Sequence, residues 1–176
     1  NHEDLKDAMW RNPGEIPANN IDDDQNGYVD DVYGANVLYK SYNSTASAEY
    51  TDPMDNHGHG THVAGIIGAV NNDLGIIGVA SGVKIMAIKC ARADGTLTTE
   101  DIVKALDYAR SKNAHVANMS FGGGADSSIV KNALADLSVT TALVASAGNS
   151  GKPVEWDLSN SCNMKGIKPV PNFPAE

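Results

Sequence analysis

The sequence predicts an α/β protein whose parallel strands are joined by crossover helices. Three observations predict it: continuous apolar runs at 83–90, 114–121 and 140–147, helical patterns between them, and turn or polar residues bounding each run. Unbroken apolar runs of this length suit strands covered on both faces. The order strand, helix, strand, helix, strand then implies parallel pairing through right-handed crossovers. At 176 residues, 41% of them hydrophobic, the chain can bury one ordinary core.

Residues 1–56 are rich in Asn, Asp, Gly, Pro and Tyr and lack sustained periodicity. They read as surface loops with short extended pieces, ordered by something other than apolar burial. The stretch 60–70, small and apolar, predicts a buried helix about three turns long, whose glycines allow close packing. Thr98, with Asp101 three residues on, can cap a helix that carries Ile102, Ala105, Leu106 and Ala109 on one face. Ser127 or Ser128 likewise precedes Ile129, Ala133, Leu134 and Leu137. Ligands of parallel sheets gather at the carboxyl ends of the strands, where Ser120-Phe121-Gly122-Gly123 and Ala147-Gly148-Asn149 fall. Beyond Asn149 a Pro/Asn/Ser-rich tail runs to Glu176 and reads as an unfinished fold, with no internal repeat anywhere.

Charge narrows the partners. The chain has 13 Lys+Arg against 22 Asp+Glu, a formal net charge of -9, and no basic cluster. That argues against nucleic acid or an anionic membrane and favours bound cations. No apolar stretch approaches the roughly 18 residues of a spanning helix, and the N-terminus lacks the charged and apolar regions of a signal peptide. The chain as given therefore reads as soluble and leaderless. Cys90 and Cys162 form no disulfide framework and read as two free thiols, while Asn43-Ser44-Thr45 is a glycosylation sequon that matters only for an exported chain.

The densest chemical signal is Asp55-Asn56-His57-Gly58-His59-Gly60-Thr61-His62. Three histidines in six positions fit a general base at the mouth of a helix, or a metal site of His57, His59 and His62. Polar residues that merely introduce a helix would account for one histidine but poorly for three. A second signal is Asp22-Asp23-Asp24-Gln25-Asn26-Gly27-Tyr28-Val29-Asp30-Asp31. Its oxygen side chains stand at positions 1, 3 and 5 of an EF-hand-like loop with Gly at 6, though Tyr33 replaces the Glu at 12. The spacing predicts calcium on Asp22, Asp24, Asn26, the Tyr28 carbonyl and Asp31; the alternative is a solvated acidic turn.

His59-Gly60-Thr61-His62-Val63-Ala64-Gly65 resembles the histidine motif of the subtilisin-like serine proteases. Three further motifs follow in the family's order: Gly75-Ile76-Ile77-Gly78-Val79-Ala80, Asn118-Met119-Ser120-Phe121-Gly122-Gly123 and Ala145-Ser146-Ala147-Gly148-Asn149. The resemblance implies a three-layer parallel-sheet subtilisin-like fold and serine endopeptidase chemistry through an acyl-enzyme. It makes His59 the base and Asn149 the oxyanion donor. Ser120, Phe121 and Gly122 would form one substrate-binding strand and Gly95, Thr96 and Leu97 the opposing one, pairing with an extended peptide. It also implies a calcium ion held by Asp4, the Asn72 side chain and carbonyls of Val70, Leu74 and Ile76. A peptide or protein substrate, an inhibitory prodomain in the complete protein, and secretion or a secretory vesicle follow from the family alone. The stretch 1–34 is similar to the calcium-rich subtilases of apicomplexan parasites.

Two motifs of that family are missing. The Asp-Thr/Ser-Gly strand belongs upstream of His2-Glu3-Asp4-Leu5, and the Gly-Thr-Ser-Met-Ala helix belongs downstream of Asn172-Phe173-Pro174-Ala175; the sequence contains no Gly-Thr-Ser. Residues 1–176 thus read as an incomplete peptidase domain: a loop-rich calcium-binding region at 1–56, a core at 57–149 with the base and oxyanion residues, and a tail at 150–176. Lacking the triad Asp and Ser, the chain alone is expected to be inactive. The alternative is a calcium-binding pseudoprotease that holds peptides without cutting them.

Overall fold

The computed structural model describes residues 2–38, 52–122 and 127–149. Asn43, Gly123, Cys162 and the tail from Ser150 lie outside the described residues. In chain order the elements are β1 (Gly34–Asn36), α1 (His59–Gly68), β2 (Ala87–Lys89), α2 (Thr99–Ser111), β3 (Val116–Met119), α3 (Ser128–Leu137) and β4 (Ala142–Ala145). The chain divides into two compact units, Asn1–Ala105 and Leu106–Glu176.

In the first unit β1 pairs with β2 in parallel, Gly34 opposite Ala87 and Asn36 opposite Lys89. The segment before β2 also bonds the N-terminal residues: Trp10 N donates to Ile85 O and Ile85 N to Ala8 O, both at 2.8 Å. Residues 8–10 and β1 are thus both stitched to one segment. The region expected to be ordered without apolar burial does have an apolar core. Leu5, Ala8, Val29, Val32, Ala35 and Val37 are all buried. Their spacing in sequence is too irregular for a periodicity signal, because apart from Ala35 in β1 it is loop backbone that turns them inward.

α1 forms where the histidine motif predicts a helix, but it is not buried. Gly68 is its one buried residue, and Ile66 is 48% exposed. Close packing is confined to that end, where a Cβ on Gly68 would lie 3.0 Å from Val83 Cγ2. The carbonyls of its last turn are taken by a returning strand of chain: Val79 N donates to Ile66 O and Ala80 N to Ile67 O. Residues 70–77 therefore leave and re-enter at the helix end, and two of the orphan acceptors of that end are satisfied.

α2 begins with a reciprocal cap. Asp101 N donates to Thr98 Oγ1 at 3.3 Å, while Thr98 N and Oγ1 donate to Asp101 Oδ2 at 3.0 and 2.7 Å. In the second unit β3 and β4 pair in parallel, Val116 opposite Ala142 and Met119 opposite Ala145, with α3 between them. Ser127 caps α3 by accepting from Val130 N, and Leu134 and Leu137 point into the core. Burying such a leucine contributes about 1.5–3 kcal/mol. Two expectations are corrected here. Ile129 is 63% exposed, and β3 and β4 are not covered on both faces, Val116 standing 59% and Val144 48% exposed. An unbroken apolar run permits cover on both faces, but neighbouring elements must supply it.

Burial by itself would raise the Asp101 carboxyl, but the Thr98 hydrogen bonds and the Arg92 guanidinium at 3.1 Å outweigh it and hold the group below the usual carboxylate range. Its contribution is therefore full above the unfolded value near 4 and is lost as pH falls through the lower folded value. Asp101→Asn should lower the unfolding free energy by about 1 kcal/mol at pH 7, and in urea titrations the difference from wild type should shrink as pH falls below the ordinary carboxylate range.

Candidate functional site

The histidine motif opens α1. Asp55 gathers the turn that leads into it: His57 N and Gly58 N donate to Oδ1 at 2.9 and 2.8 Å, and Thr61 N and Oγ1 to Oδ2 at 2.9 and 2.8 Å. His59 is the first residue of the helix and is exposed. Its ring meets that of His57 edge-on, centroids 6.4 Å apart, and His57 Nε2 lies 3.4 Å from where a Cβ on Gly95 would stand. His57, His59 and Gly95 are thus brought together within the first unit.

The three-histidine metal site is not assembled. Among the described residues, the group whose ligand atoms lie within 4.8 Å of one another is Glu15, Asp22 and Asp24. Gly95, Thr96 and Leu97 pair with no strand among the described residues. Gly95 and Thr96 belong to a turn closed by Gly95 N to Arg92 O and Arg92 N to Thr96 O, with Thr96 N and Oγ1 donating to Asp94. A cleft of about 410 Å³ nearby is lined by Asn36, Asp52, Asn56, Lys89 and Arg92 among others. Its cations are already engaged, Lys89 by Met54 O and Asn56 Oδ1 and Arg92 by Asp101.

In the second unit the candidate segments follow the carboxyl ends of the two parallel strands, as the switch-point rule requires. Ser120, Phe121 and Gly122 continue from β3, and Asn149 follows β4 in an exposed bend. Ser146 ties the two ends, its N donating to Met119 O and its Oγ to Phe121 O at 3.3 and 3.4 Å. Asn118 Nδ2 donates to Ser120 Oγ at 2.9 Å.

Two acidic sites lie in the first unit. Asp4 is buried, its Oδ2 accepts from Ile76 N at 3.3 Å and its backbone oxygen from Val70 N. Asp4 Oδ1 has no hydrogen-bond partner among the described residues. Gly75, at φ 47°, is required here because a Cβ would stand 2.0 Å from Asp4 Oδ2. Asp4 and the 70–76 loop therefore meet, as the resemblance implies, and an orphaned buried carboxylate oxygen fits a cation. The Asn72 side-chain oxygen accepts from Leu74 N at 3.1 Å.

At the 22–31 loop the structure adds a residue that the spacing did not reveal. Glu15, 8% exposed, stands with Asp22 and Asp24; its Oε1 accepts from Asp23 N and Asp24 N, and its Oε2 has no partner among the described residues. Glu15 comes from outside the loop, so loop spacing could not point to it; an acid beside Pro13-Gly14 was the one available signal. Four of the expected ligands already accept hydrogen bonds: Asp22 from Asn26 N and Gly27 N, Asp24 from Asn12 Nδ2, and Asp31 and Asn26 as well. Asp31 accepts amide hydrogens from Asn12 at 2.7 Å and Asn26 at 2.9 Å, and Asn26 Oδ1 accepts from Tyr28 N. Tyr33, at the position where a Glu would ligate, is held by Arg11, whose guanidinium lies 5.2 Å over its ring.

The chain belongs to the subtilase family: the family pattern matches residues 1–169. Its helices and parallel strands are those of an α/β fold of that family. It is 43% identical over 123 residues to Subtilisin-like protease 1 of Plasmodium falciparum (isolate 3D7), covering 69% of this chain and 17% of that protein. Over 156 residues it is 35% identical to Subtilisin-like protease 1 of Plasmodium berghei (strain Anka), covering 87% and 24%. To Subtilisin BL of Lederbergia lenta it is 41% identical over 99 residues, covering 56% and 37%. The chain spans between about a sixth and two fifths of the length of these relatives. No helix among the described residues is long and apolar enough to cross a membrane.

Burial pushes the Glu15 carboxyl up to about 7; the Asp24 N–H holds it back, and the charges of Asp31, Asp24 and Asp23 push it further. The folded chain thus keeps a proton that the unfolded chain loses above its ordinary 4.5, so metal-free stability falls as pH rises from about 4.5 to 7. Glu15→Gln should flatten that slope in urea titrations run in chelator at pH 5 and pH 8.

Proposed function

We propose that this chain is part of a subtilisin-type serine endopeptidase, with His59 as general base and Asn149 as oxyanion donor. The observation that carries this reading is the ordered set of four motifs on a chain of the subtilase family. In hydrolysis the serine Oγ attacks the scissile carbonyl carbon while His59 takes its proton. The carbonyl π electrons move to the oxygen, whose developing charge accepts from the Asn149 amide. His59 then gives the proton to the leaving amine, and water resolves the acyl-enzyme by the same steps in reverse. Ser120, Phe121 and Gly122 are one proposed peptide-binding segment and Gly95, Thr96 and Leu97 another, each acting by strand addition. The motifs within these 176 residues supply neither the serine nor the aspartate, so in this reading the chain alone is inactive. Secretion or a secretory vesicle, and an inhibitory prodomain in the complete protein, belong to the same reading.

Calcium is the proposed cofactor, at two places. Asp4 and the 70–76 loop would hold one ion, and Glu15, Asp22 and Asp24, with Asn26, Tyr28 and Asp31 around them, a second. Oxygen-only donor sets with orphaned buried carboxylates suit a hard divalent cation. Its contribution is structural, screening acids that repel one another in a chain of net charge -9.

In the full-length protein, steady-state assays with a chromogenic peptide should show kcat lowered by about 10²–10³-fold for Asn149→Ala and by about 10⁴–10⁶-fold for His59→Ala. Wild-type turnover by either variant would defeat the assignment. Calcium should raise the melting temperature, by mass action equivalent to about 2.7 kcal/mol at a hundred times Kd; Asp4→Asn and Asp22→Asn should each remove part of the rise, as calorimetry would detect.

A further inference from the structure

The sequence that carries the base is unusual in its mechanics. His59 stands between Gly58 and Gly60, the two residues least able to hold a backbone by themselves. Gly58 occupies the N-cap of α1 and has no side chain to cap it, and the first turn holds no acidic residue. The first-turn N–H groups and the positive end of the helix dipole therefore need an acceptor from elsewhere.

Asp55 supplies that acceptor. Oδ2 receives the N–H of Thr61, the third helical residue, as a capping side chain would, and also the Thr61 hydroxyl. Oδ1 receives the N–H groups of His57 and Gly58. One carboxylate thus fastens the backbone on both sides of His59. We propose that Asp55 is a positioning residue for the His59 imidazole, fixing the direction in which the ring leaves α1. Burial would raise its pKa, yet these hydrogen bonds together drive it far below the ordinary range, so the anchor stays ionised wherever a peptidase of this kind works. Asp55 acts through His59, so the inference rests on His59 being the base.

The decisive experiment is a double-mutant cycle in the full-length protein, read as kcat and KM on a chromogenic peptide. Asp55→Asn keeps the shape but presents an amide N–H toward donors. It should lower kcat by about 10–100-fold, the loss expected for a misplaced base, and leave KM within about twofold. The same substitution on a His59→Ala background should change kcat less than about twofold, because no ring remains to be misplaced. Equal losses on both backgrounds, a loss confined to KM, or no loss at all would overturn the proposal. If Asp55→Asn fails to fold, Thr61→Val removes one of the four donors and should show a smaller kcat loss with the same dependence on His59. If His59→Ala keeps wild-type kcat, the base assignment itself is wrong and this inference falls with it, an outcome distinct from an Asp55 effect that is independent of His59.

Discussion

Carboxylates that accept backbone N–H groups hold the functional loops of this chain. Asp55 gathers the turn before α1, Asp22 the bend at Asn26 and Gly27, Asp30 the residues Asn19 and Asn20, and Asp4 the return of the 70–76 loop. Each pins loop backbone that no ladder reaches. An ionised acceptor makes roughly twice as strong a bond as a neutral one, so a loop-rich segment can be ordered with little regular structure.

The same device explains how an acidic chain tolerates its charge. The Lys104–Glu100 and Arg110–Asp107 ion pairs are i,i+4 and i,i+3 pairs on α2, and such exposed pairs contribute little. Most of the described carboxylates accept amide hydrogens instead. At Glu15 this goes only halfway: Oε2 has no hydrogen-bond partner among the described residues, burial and three neighbouring acids raise the carboxyl, and a proton or a cation must take up the charge. The acidity of the composition and the clustering of the first unit are therefore one physical problem met in two ways.

Much of the fold was legible. The helices at 59–68, 99–111 and 128–137 stand where periodicity and caps predict them, and the Thr98–Asp101 pair forms as its spacing requires. The three predicted strands appear within their apolar runs, though shorter. Burial was less legible: the exposed Ile66, Ile129 and Val144 show that a pattern can nominate a face for burial while packing decides whether anything covers it. The apolar core of the first unit, drawn from irregular loop positions such as Leu5, Val29 and Val32, left no period to detect.

For the site, local chemistry was written in the sequence. The histidine motif, the oxygen-bearing positions of the 22–31 loop and the strand-end segments at Ser120 and Asn149 could all be read from neighbours in the chain, because each depends on spacings of a few residues. The contact between Asp4 and Ile76, the recruitment of Glu15 to Asp22 and Asp24, and the diversion of Asp31 to the Asn12 and Asn26 amides were decided by tertiary structure. Hydrogen-bond partners separated by long stretches of chain are chosen by how the backbone closes on itself, and a carboxylate binds whichever donor or cation that closure brings within reach.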